Sequence, residues 1–249
     1  MLTLVIASVP GSLTTLPLVS RMVASYLPPP GKKVPPAPVI NLLAVIQTLV
    51  IVTIASAIGT ALAPRVGLHA PAFEALADGR SALDALLPQI GPALLLGIIG
   101  GALFVLAYYR IFRPRLSSEE IRITEGFRMN MGLAGRVLYG GIVEEILMRW
   151  GLMSLFVWLG AAIFGSPGPG MVWLAIAITG ILFALGHLPA VVAQGLKVTG
   201  AVLATNITLN LGASLIFGWL FWQVGLEAAM LAHAAFHVIW YPLEVRFNR

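Results

Sequence analysis

The sequence is organised around the stretch Gly140-Gly141-Ile142-Val143-Glu144-Glu145-Ile146-Leu147-Met148-Arg149-Trp150. This stretch places two adjacent carboxylates and an arginine within a largely apolar run, residues 133–164, although only 10% of the chain is charged. An ionised side chain in hydrocarbon costs at least about 2.5–3.5 kcal/mol, so such residues need partners and usually carry a function. The stretch therefore predicts a membrane helix that contains part of a functional site.

Helix geometry separates these three charges into two groups. Glu145 and Arg149 are four residues apart, so they share a helix face and can form an ion pair. Glu144 is rotated by about 100° from Glu145, because a helix has 3.6 residues per turn. This geometry predicts a structural Glu145–Arg149 pair and leaves Glu144 as the carboxylate that needs another explanation.

The composition indicates an integral membrane protein of the helical type. The chain is 59% hydrophobic and 10% charged, whereas soluble domains are roughly 45–50% apolar and about 25% charged. The alternating strands of a transmembrane barrel are missing from the pattern. The absence of cysteine excludes disulfides, thiolate zinc sites and a cysteine nucleophile. The net charge of +5 lies mainly in loops, which favours contact with anionic lipid and not with nucleic acid.

The apolar segments predict an all-α, multi-pass transmembrane bundle with an interfacial helix. It has seven spans, or eight if residues 133–164 cross twice. The predicted spans are 2–26, 39–63, 90–112, 133–164, 171–187, 198–222 and 226–241. A short amphipathic helix is predicted at 72–87, and the interfacial helix at 118–129, where Ser117 and Glu120 have capping-box spacing. We divide the chain into an N-terminal three-span region, 1–112, and a second region, 113–249, with the interfacial helix and a helical core.

Lysine and arginine residues predict the orientation of the chain in the membrane. They concentrate in residues 28–38, 110–136 and 188–197 and in the C-terminal tail. Seven spans with an outside N-terminus place all four segments in the cytoplasm, as positively charged loops require. The sequence therefore predicts a cell-membrane protein whose C-terminus is cytoplasmic.

Three of the four histidines lie in late apolar segments. His187 ends the fifth predicted span, where Pro189 is expected to close the helix, and His233 and His237 share one face of the last span. In the predicted topology Glu144 lies about 16 Å from the cytoplasmic end of its own span, at 1.5 Å per residue. We therefore expect Glu144 and these three histidines to converge in the cytoplasmic half of the bilayer. His69 falls in an outer loop and is assigned no role.

Other polar residues in the spans have structural interpretations. Asn206 and Asn210 are one helix turn apart and are expected to join helices or to line a cavity. Glu227 begins the last helix, where a carboxylate favours the positive end of the helix dipole. Close helix packing is expected at three glycines of the third span, Gly97, Gly100 and Gly101.

Two hydrolytic mechanisms are compatible with a glutamate and three histidines in one pocket. A carboxylate beside a histidine can hold and deprotonate a water molecule, while further histidines stabilise the oxyanion of the attacked carbonyl group. Alternatively these side chains bind a zinc ion that activates the water. The ligands would then be Glu144, His187, His233 and His237. Both mechanisms hydrolyse an amide within or next to the membrane.

The motifs Glu144-Glu145-x-x-x-Arg149, Phe183-x-x-x-His187 and His233-x-x-x-His237 resemble, in order, those of the CPBP intramembrane proteases. This family includes the type II CAAX prenyl endopeptidases and the Abi immunity proteins, and the resemblance covers about residues 110–245. It implies that Glu144 and His187 activate water and that His233 and His237 form the oxyanion site. It also implies a supporting role for Glu145, Arg149 and Phe183. The family usually has Asn or Asp where this chain has His237, a departure that favours a metal more than the usual pattern does.

The expected function is therefore that of an intramembrane endopeptidase. Its partners are the lipid bilayer and a membrane-associated peptide or protein, such as a prenylated protein or a leader or signal peptide, and zinc is the one cofactor considered. A proton- or ion-coupled transporter is an alternative, but the sequence lacks the inverted repeats that it predicts. A catalytically silent immunity or interaction protein on the same scaffold is the other alternative, against which the intact motifs argue.

Overall fold

A computed structural model describes residues 1–25 and 35–247. Most of the predicted basic connector, including Lys32 and Lys33, lies outside the described residues, as do residues 248 and 249. The described part is helical with short turns and contains no strand. The prediction of an all-α, multi-pass helical bundle is confirmed.

Ten α-helices occur in the described residues, and two π-helical segments lie between α6 and α7. The α-helices are α1 (Leu2–Thr14), α2 (Leu16–Ser25), α3 (Ala37–Leu62), α4 (Pro71–Ala77), α5 (Ala82–Ala107), α6 (Ser118–Gly135), α7 (Ser154–Phe164), α8 (Pro169–Val192), α9 (Gly200–Gln223) and α10 (Leu226–Phe247). The π-helical segments are Arg136–Glu144 and Ile146–Met153. Because they continue into α7 without a break, residues 136–164 are called the motif helix below.

Six helices in the described residues are long and apolar enough to cross a membrane. They are Leu2–Arg21, Ala37–Val66, Ala82–Arg115, Ser118–Phe164, Pro169–Val192 and Gly200–Gln223. The seventh predicted span corresponds to α10, which has 22 residues and a length of about 33 Å. It is not among the six, and its polar residues include His233, His237 and Glu244. The protein is an integral membrane protein, and the count of seven spans stays a prediction.

Several predicted boundaries were wrong. The first predicted span, 2–26, is one candidate membrane helix only from Leu2 to Arg21, with a turn at Thr15 between α1 and α2. The short helix of the following loop is only Pro71–Ala77, and α5 begins at Ala82, where the Ser81 hydroxyl accepts a hydrogen bond from the Asp84 N–H. Pro189 does not close the helix at His187. Proline lacks a backbone N–H group, so it removes only one hydrogen bond of the helix. The chain stays helical to Val192, and the next turn closes between Ala193 N–H and the Pro189 carbonyl oxygen at 3.0 Å.

The motif helix is one segment and not two. It runs through Trp150 and Gly151 without interruption. The break lies earlier, at Gly132, whose φ of 66° is a conformation that glycine adopts readily. This break lies within α6, so the part of α6 after Gly132 continues into the motif helix, while the part before it begins with the predicted capping box of Ser117 and Glu120. A helix over the predicted residues 118–129 is confirmed, and it extends beyond Met129, while its position at the membrane interface stays a prediction.

Small residues bring α10 against α5. A Cβ atom at Gly97 would lie 2.5 Å from the carbonyl oxygen of Ala232, and one at Gly101 would lie 3.0 Å from that of Phe236. The predicted close approach at these glycines is confirmed. A glycine also brings the motif helix close to α3, where a Cβ atom at Gly151 would lie 2.7 Å from the Cβ of Ala55.

Glu227 joins the first turns of α4 and α10. Its Oε1 accepts hydrogen bonds from the backbone N–H groups of Ala72 and Phe73, both at 2.9 Å, and its Oε2 accepts one from Gln89 at 3.2 Å. The Gln89 side-chain oxygen accepts from the Ala228 N–H at 3.0 Å. The carboxylate therefore accepts hydrogen bonds from the first turn of α4 and also lies at the start of its own helix, as predicted.

We predict that Gly97→Ala lowers the unfolding temperature in detergent, because the added methyl group collides with the backbone of α10. Overpacking of this kind costs about 1–3 kcal/mol. Gly91→Ala is the matched control on the same helix, since a Cβ atom there meets nothing within 4 Å. The control should be neutral or slightly stabilising, because alanine favours a helix more than glycine does. Equal unfolding temperatures of the two variants would contradict the close packing.

Candidate active site

Two adjacent glycines of the motif helix allow α10 to approach the glutamates. A Cβ atom at Gly140 would lie 3.1 Å from Nε2 of His237 and 3.5 Å from Nε2 of His233. One at Gly141 would lie 3.2 Å from the Cβ of Ala234. The pair thus places the last histidine motif beside the first motif, one turn before the two carboxylates.

Glu145 has two buried partners, Arg149 on the motif helix and His233 on α10. Its Oε2 lies 3.2 Å from Nε of Arg149, so the predicted ion pair is present, and both side chains are almost fully buried. Its Oε1 lies 2.7 Å from Nδ1 of His233. Arg149 also donates a hydrogen bond to the Ser214 hydroxyl on α9 at 3.1 Å. The sequence did not indicate the contacts to His233 and Ser214, since these residues are 88 and 65 positions away from their partners.

The hydrogen bond to Glu145 decides the tautomer of His233. An ionised carboxylate only accepts, so Nδ1 of His233 carries the hydrogen. In the neutral ring Nε2 then has the lone pair. His237 lies 3.1 Å away, Nε2 to Nε2, and must donate to it. The result is a chain of hydrogen bonds from His237 through His233 to Glu145, and Nδ1 of His237 has no hydrogen-bond partner among the described residues.

His187 has a tautomer fixed by its own helix. Its Nδ1 lies 2.7 Å from the carbonyl oxygen of Phe183, one turn earlier, and a carbonyl oxygen only accepts. In the neutral ring the lone pair is therefore on Nε2, which faces Oε1 of Glu144 at 3.9 Å. The side chain of His187 is about a third exposed, whereas that of Glu144 is 14% exposed.

Glu144 is close to two histidines without direct contact. Its Oε2 lies 4.0 Å from Nε2 of His233, and its Oε1 lies 3.9 Å from Nε2 of His187. Both distances exceed that of a hydrogen bond, and such separations suit a bridging water molecule. Within the described residues Glu144 makes no direct hydrogen bond, in contrast to the adjacent Glu145.

Aromatic rings hold the histidines and Arg149 in position. Phe217 stacks on His233 with a centroid distance of 4.5 Å, and Phe183 packs edge-on against His187 at 4.5 Å. The guanidinium carbon of Arg149 lies 5.7 Å from the Phe183 ring and 5.6 Å from the Phe217 ring, within the range of cation–π attraction. The position predicted for Phe183 as a supporting residue agrees with these contacts. Phe217 was not predicted, because an apolar residue in a span carries no distinguishing signal.

The four residues expected to converge border one cavity of about 220 Å³, formed mainly by α5, α6, the motif helix, α8, α9 and α10. Glu144, His187, His233 and His237 face it together with Asn206 and Asn210. Its wall is otherwise largely apolar, and the apolar side chains include Phe104, Phe127, Met131, Val191, Leu209 and Trp240.

Two arginines that border the cavity share one buried carboxylate. Nε of Arg128 lies 2.7 Å from Oε1 of Glu244, and Nη2 of Arg136 lies 2.6 Å from its Oε2. Arg128 also lies over the Tyr108 ring at 4.6 Å. The prediction that both arginines are loop charges was wrong, because their ion pairs with Glu244 hold them between α6, the motif helix and α10.

The predicted zinc ligands do not form a metal site in this geometry. Among residues 1–25 and 35–247, no group of three or more His, Asp or Glu side chains is arranged to hold a metal ion. The lone pair of His233 that zinc would need accepts a hydrogen bond from His237 instead. The donor set therefore does not fit zinc in this geometry.

The fold and the cavity define a multi-pass helical membrane protein with a glutamate–histidine cluster at its centre. Residues 129–239 match the family model described as type II CAAX prenyl endopeptidase Rce1-like. This match contains all three motifs, confirms the resemblance and supports the assignment of the chain to the CPBP/CAAX intramembrane protease family. Comparisons with curated proteins and with solved structures gave no match. The family supports, in general, a CAAX-type intramembrane endopeptidase with a membrane-associated substrate.

We predict that Glu145→Gln lowers the stability of the protein by about 3–5 kcal/mol, since it leaves the buried Arg149 without a charged partner. Glu144→Gln should have a much smaller effect, because its carboxylate makes no direct hydrogen bond in the described structure. Thermal unfolding of both variants in the same detergent measures the difference. A greater loss of stability in Glu144→Gln would show that Glu144, and not Glu145, has the structural role.

Proposed function

We propose that the protein hydrolyses peptide bonds of membrane-associated peptides or proteins at the cytoplasmic side of the cell membrane. The observation that carries this proposal is the position of Glu144. Its two oxygens lie 3.9 and 4.0 Å from the Nε2 atoms of His187 and His233. All three side chains border the cavity of about 220 Å³.

In the proposed mechanism Glu144 and His187 hold the attacking water. The Nε2 lone pair of His187 accepts one hydrogen bond from it, and Glu144 accepts the other and acts as the general base. The water oxygen bonds to the carbonyl carbon while its proton passes to Glu144. When the C–N bond of the tetrahedral intermediate breaks, this proton passes to the leaving amine nitrogen. Protons and electrons balance without any further reactant.

His233 and His237 would stabilise the negative charge on the carbonyl oxygen. While His233 is neutral, the Nε2–H of His237 is donated to its Nε2, so this hydrogen would have to turn from His233 to the carbonyl oxygen of the bound substrate. If His233 takes up a proton, its own Nε2–H also becomes a donor, and Glu145 at Nδ1 stabilises the resulting positive charge. Glu145 thereby has a role in the site besides its ion pair with Arg149, because it orients the imidazole ring.

The substrate class follows from the family and from the apolar cavity wall. We infer that prenylated peptides are cleaved, in agreement with the description of the matched family, and that leader or signal peptides are the second class. Residues 113–249 would form the catalytic unit and residues 1–112 a supporting three-span region. An outside N-terminus and a cytoplasmic C-terminus would place the basic segments in the cytoplasm.

The activity is tested with purified protein in liposomes and a farnesylated, internally quenched peptide that ends in a CAAX sequence. We expect Glu144→Gln to abolish cleavage and to leave the protein folded. Glu119→Gln is the control, because Glu119 is exposed on α6 and pairs with Arg122. Cleavage that persists in Glu144→Gln would place the base elsewhere. A wild-type protein that cleaves neither the farnesylated peptide nor a membrane-inserted signal peptide would indicate a silent scaffold.

His237 gives a second test. As an oxyanion donor it needs only an N–H group, which an asparagine amide also supplies. His237→Asn should therefore retain most of the cleavage rate, whereas His237→Leu should lose roughly 10²–10³-fold, the typical cost of one such donor. Chelating agents should leave the wild-type rate unchanged. Stoichiometric zinc in the purified protein, lost together with activity in His237→Asn, would show that the histidines bind a metal.

A further inference from the structure

Asn206 and Asn210 form a directed chain of hydrogen bonds that ends at the cavity. They lie one turn apart on α9, both half-buried, and both border the space that contains Glu144 and the three histidines. Nδ2 of Asn206 donates to the carbonyl oxygen of Ala184 on α8 at 2.6 Å. Its side-chain oxygen accepts from Nδ2 of Asn210 at 2.9 Å. The chain therefore starts at α8 and runs along α9.

These contacts determine the orientation of both amides. Ala184 offers a carbonyl oxygen, so the nitrogen of Asn206 must face it and the oxygen must face Asn210. Nδ2 of Asn210 lies 2.8 Å from the backbone oxygen of Asn206 and 2.9 Å from its side-chain oxygen. If the amide of Asn210 were turned over, its oxygen would meet two acceptors and lose both bonds. The nitrogen of Asn210 is therefore committed to Asn206.

Among the polar atoms of these two side chains, the one still without a hydrogen bond to a described residue is the side-chain oxygen of Asn210. Both hydrogen bonds of this side chain return to Asn206 on its own helix, and neither reaches another helix. Within this pair, the hydrogen bond that joins α9 to α8 is the one from Asn206 to Ala184. Asn210 orients Asn206 but makes no side-chain hydrogen bond to another helix among the described residues. What it adds is a side-chain oxygen of fixed orientation on a residue that borders the cavity, and no donor to this oxygen occurs among the described residues.

A peptide in this cavity needs such an acceptor. The histidines supply donors for the carbonyl oxygen of the cleaved bond, but the flanking backbone N–H groups of the peptide lose their water on binding. A buried N–H group without a partner is unfavourable. We propose that the side-chain oxygen of Asn210 accepts a hydrogen bond from a backbone N–H group of the substrate next to the cleaved bond, with Asn206 as its positioning residue. This proposal rests on the proposed peptidase function.

The test is a double-mutant cycle with the farnesylated CAAX peptide as the probe. Each amide next to the cleaved bond is replaced in turn by an ester, which removes one N–H group. Binding is measured by titration in the Glu144→Gln background, where no turnover occurs. We expect an ester at one position to weaken binding about 3- to 10-fold, the range of a neutral hydrogen bond. Asn210→Leu should weaken binding of the all-amide peptide to a similar extent, and the same ester should then cause no additional loss.

Two further variants make the result specific. Asn210→Ala removes the acceptor without adding bulk and should reproduce the loss if Asn210→Leu does not fold. Asn41→Leu is the control, because Asn41 pairs with Ser20 between α2 and α3 and does not border the cavity. It should leave binding and the ester effect unchanged. In the active protein Asn210→Ala should raise KM more than it lowers kcat.

The outcomes separate this proposal from the proposed function. If every ester weakens binding equally with and without the Asn210 side chain, while the wild-type protein still cleaves the peptide, Asn210 is not the acceptor and this proposal alone fails. If the wild-type protein binds and cleaves no peptide, the proposed function fails and this inference with it.

Discussion

The site depends on the buried carboxylate of Glu145. A charge without solvent access is tolerated only when its partners replace most of its hydration, and Glu145 obtains them from two helices. Arg149 comes from the motif helix itself and His233 from α10. Since both partners are required at once, the carboxylate fixes the distance between these helices. Gly140 and Gly141 make this distance attainable, because larger side chains would meet His237 and Ala234.

The position of His233 follows from that constraint, and the other groups follow from His233. Phe217 covers one face of its ring, and His237 donates to its free nitrogen. Glu144 approaches the same nitrogen from the motif helix. The two adjacent glutamates therefore lie on two sides of one imidazole ring. The motif helix is π-helical through Glu144 and again from Ile146, and π-helical turns occur frequently at functional sites.

The sequence predicted the parts that depend on local patterns. Hydropathy located the apolar helices, capping-box spacing located α6, and the four-residue spacing identified the Glu145–Arg149 pair. Prediction from the sequence failed where a contact joins residues that are far apart in the chain. Glu244 binds Arg128 and Arg136 over 116 and 108 positions, and no local pattern distinguishes a buried arginine from one in a basic loop. Ser214 and Phe217 carry no signal of their own for the same reason. The rotation of about 100° between consecutive helix residues predicted that the two glutamates lie on different faces. It did not reveal that both approach His233.

The distribution of charge within the bundle gives Glu144 its significance. Glu145 is matched by Arg149, and Glu244 is matched by Arg128 and Arg136. Each of these carboxylates has a cationic partner at 3.2 Å or less. Glu144 instead faces two imidazole nitrogens at 3.9 and 4.0 Å, in a position that borders the cavity. A carboxylate held in an apolar setting without a direct partner is unfavourable for folding. The same arrangement leaves its oxygens free to accept a proton from water, which is what hydrolysis of a peptide bond requires.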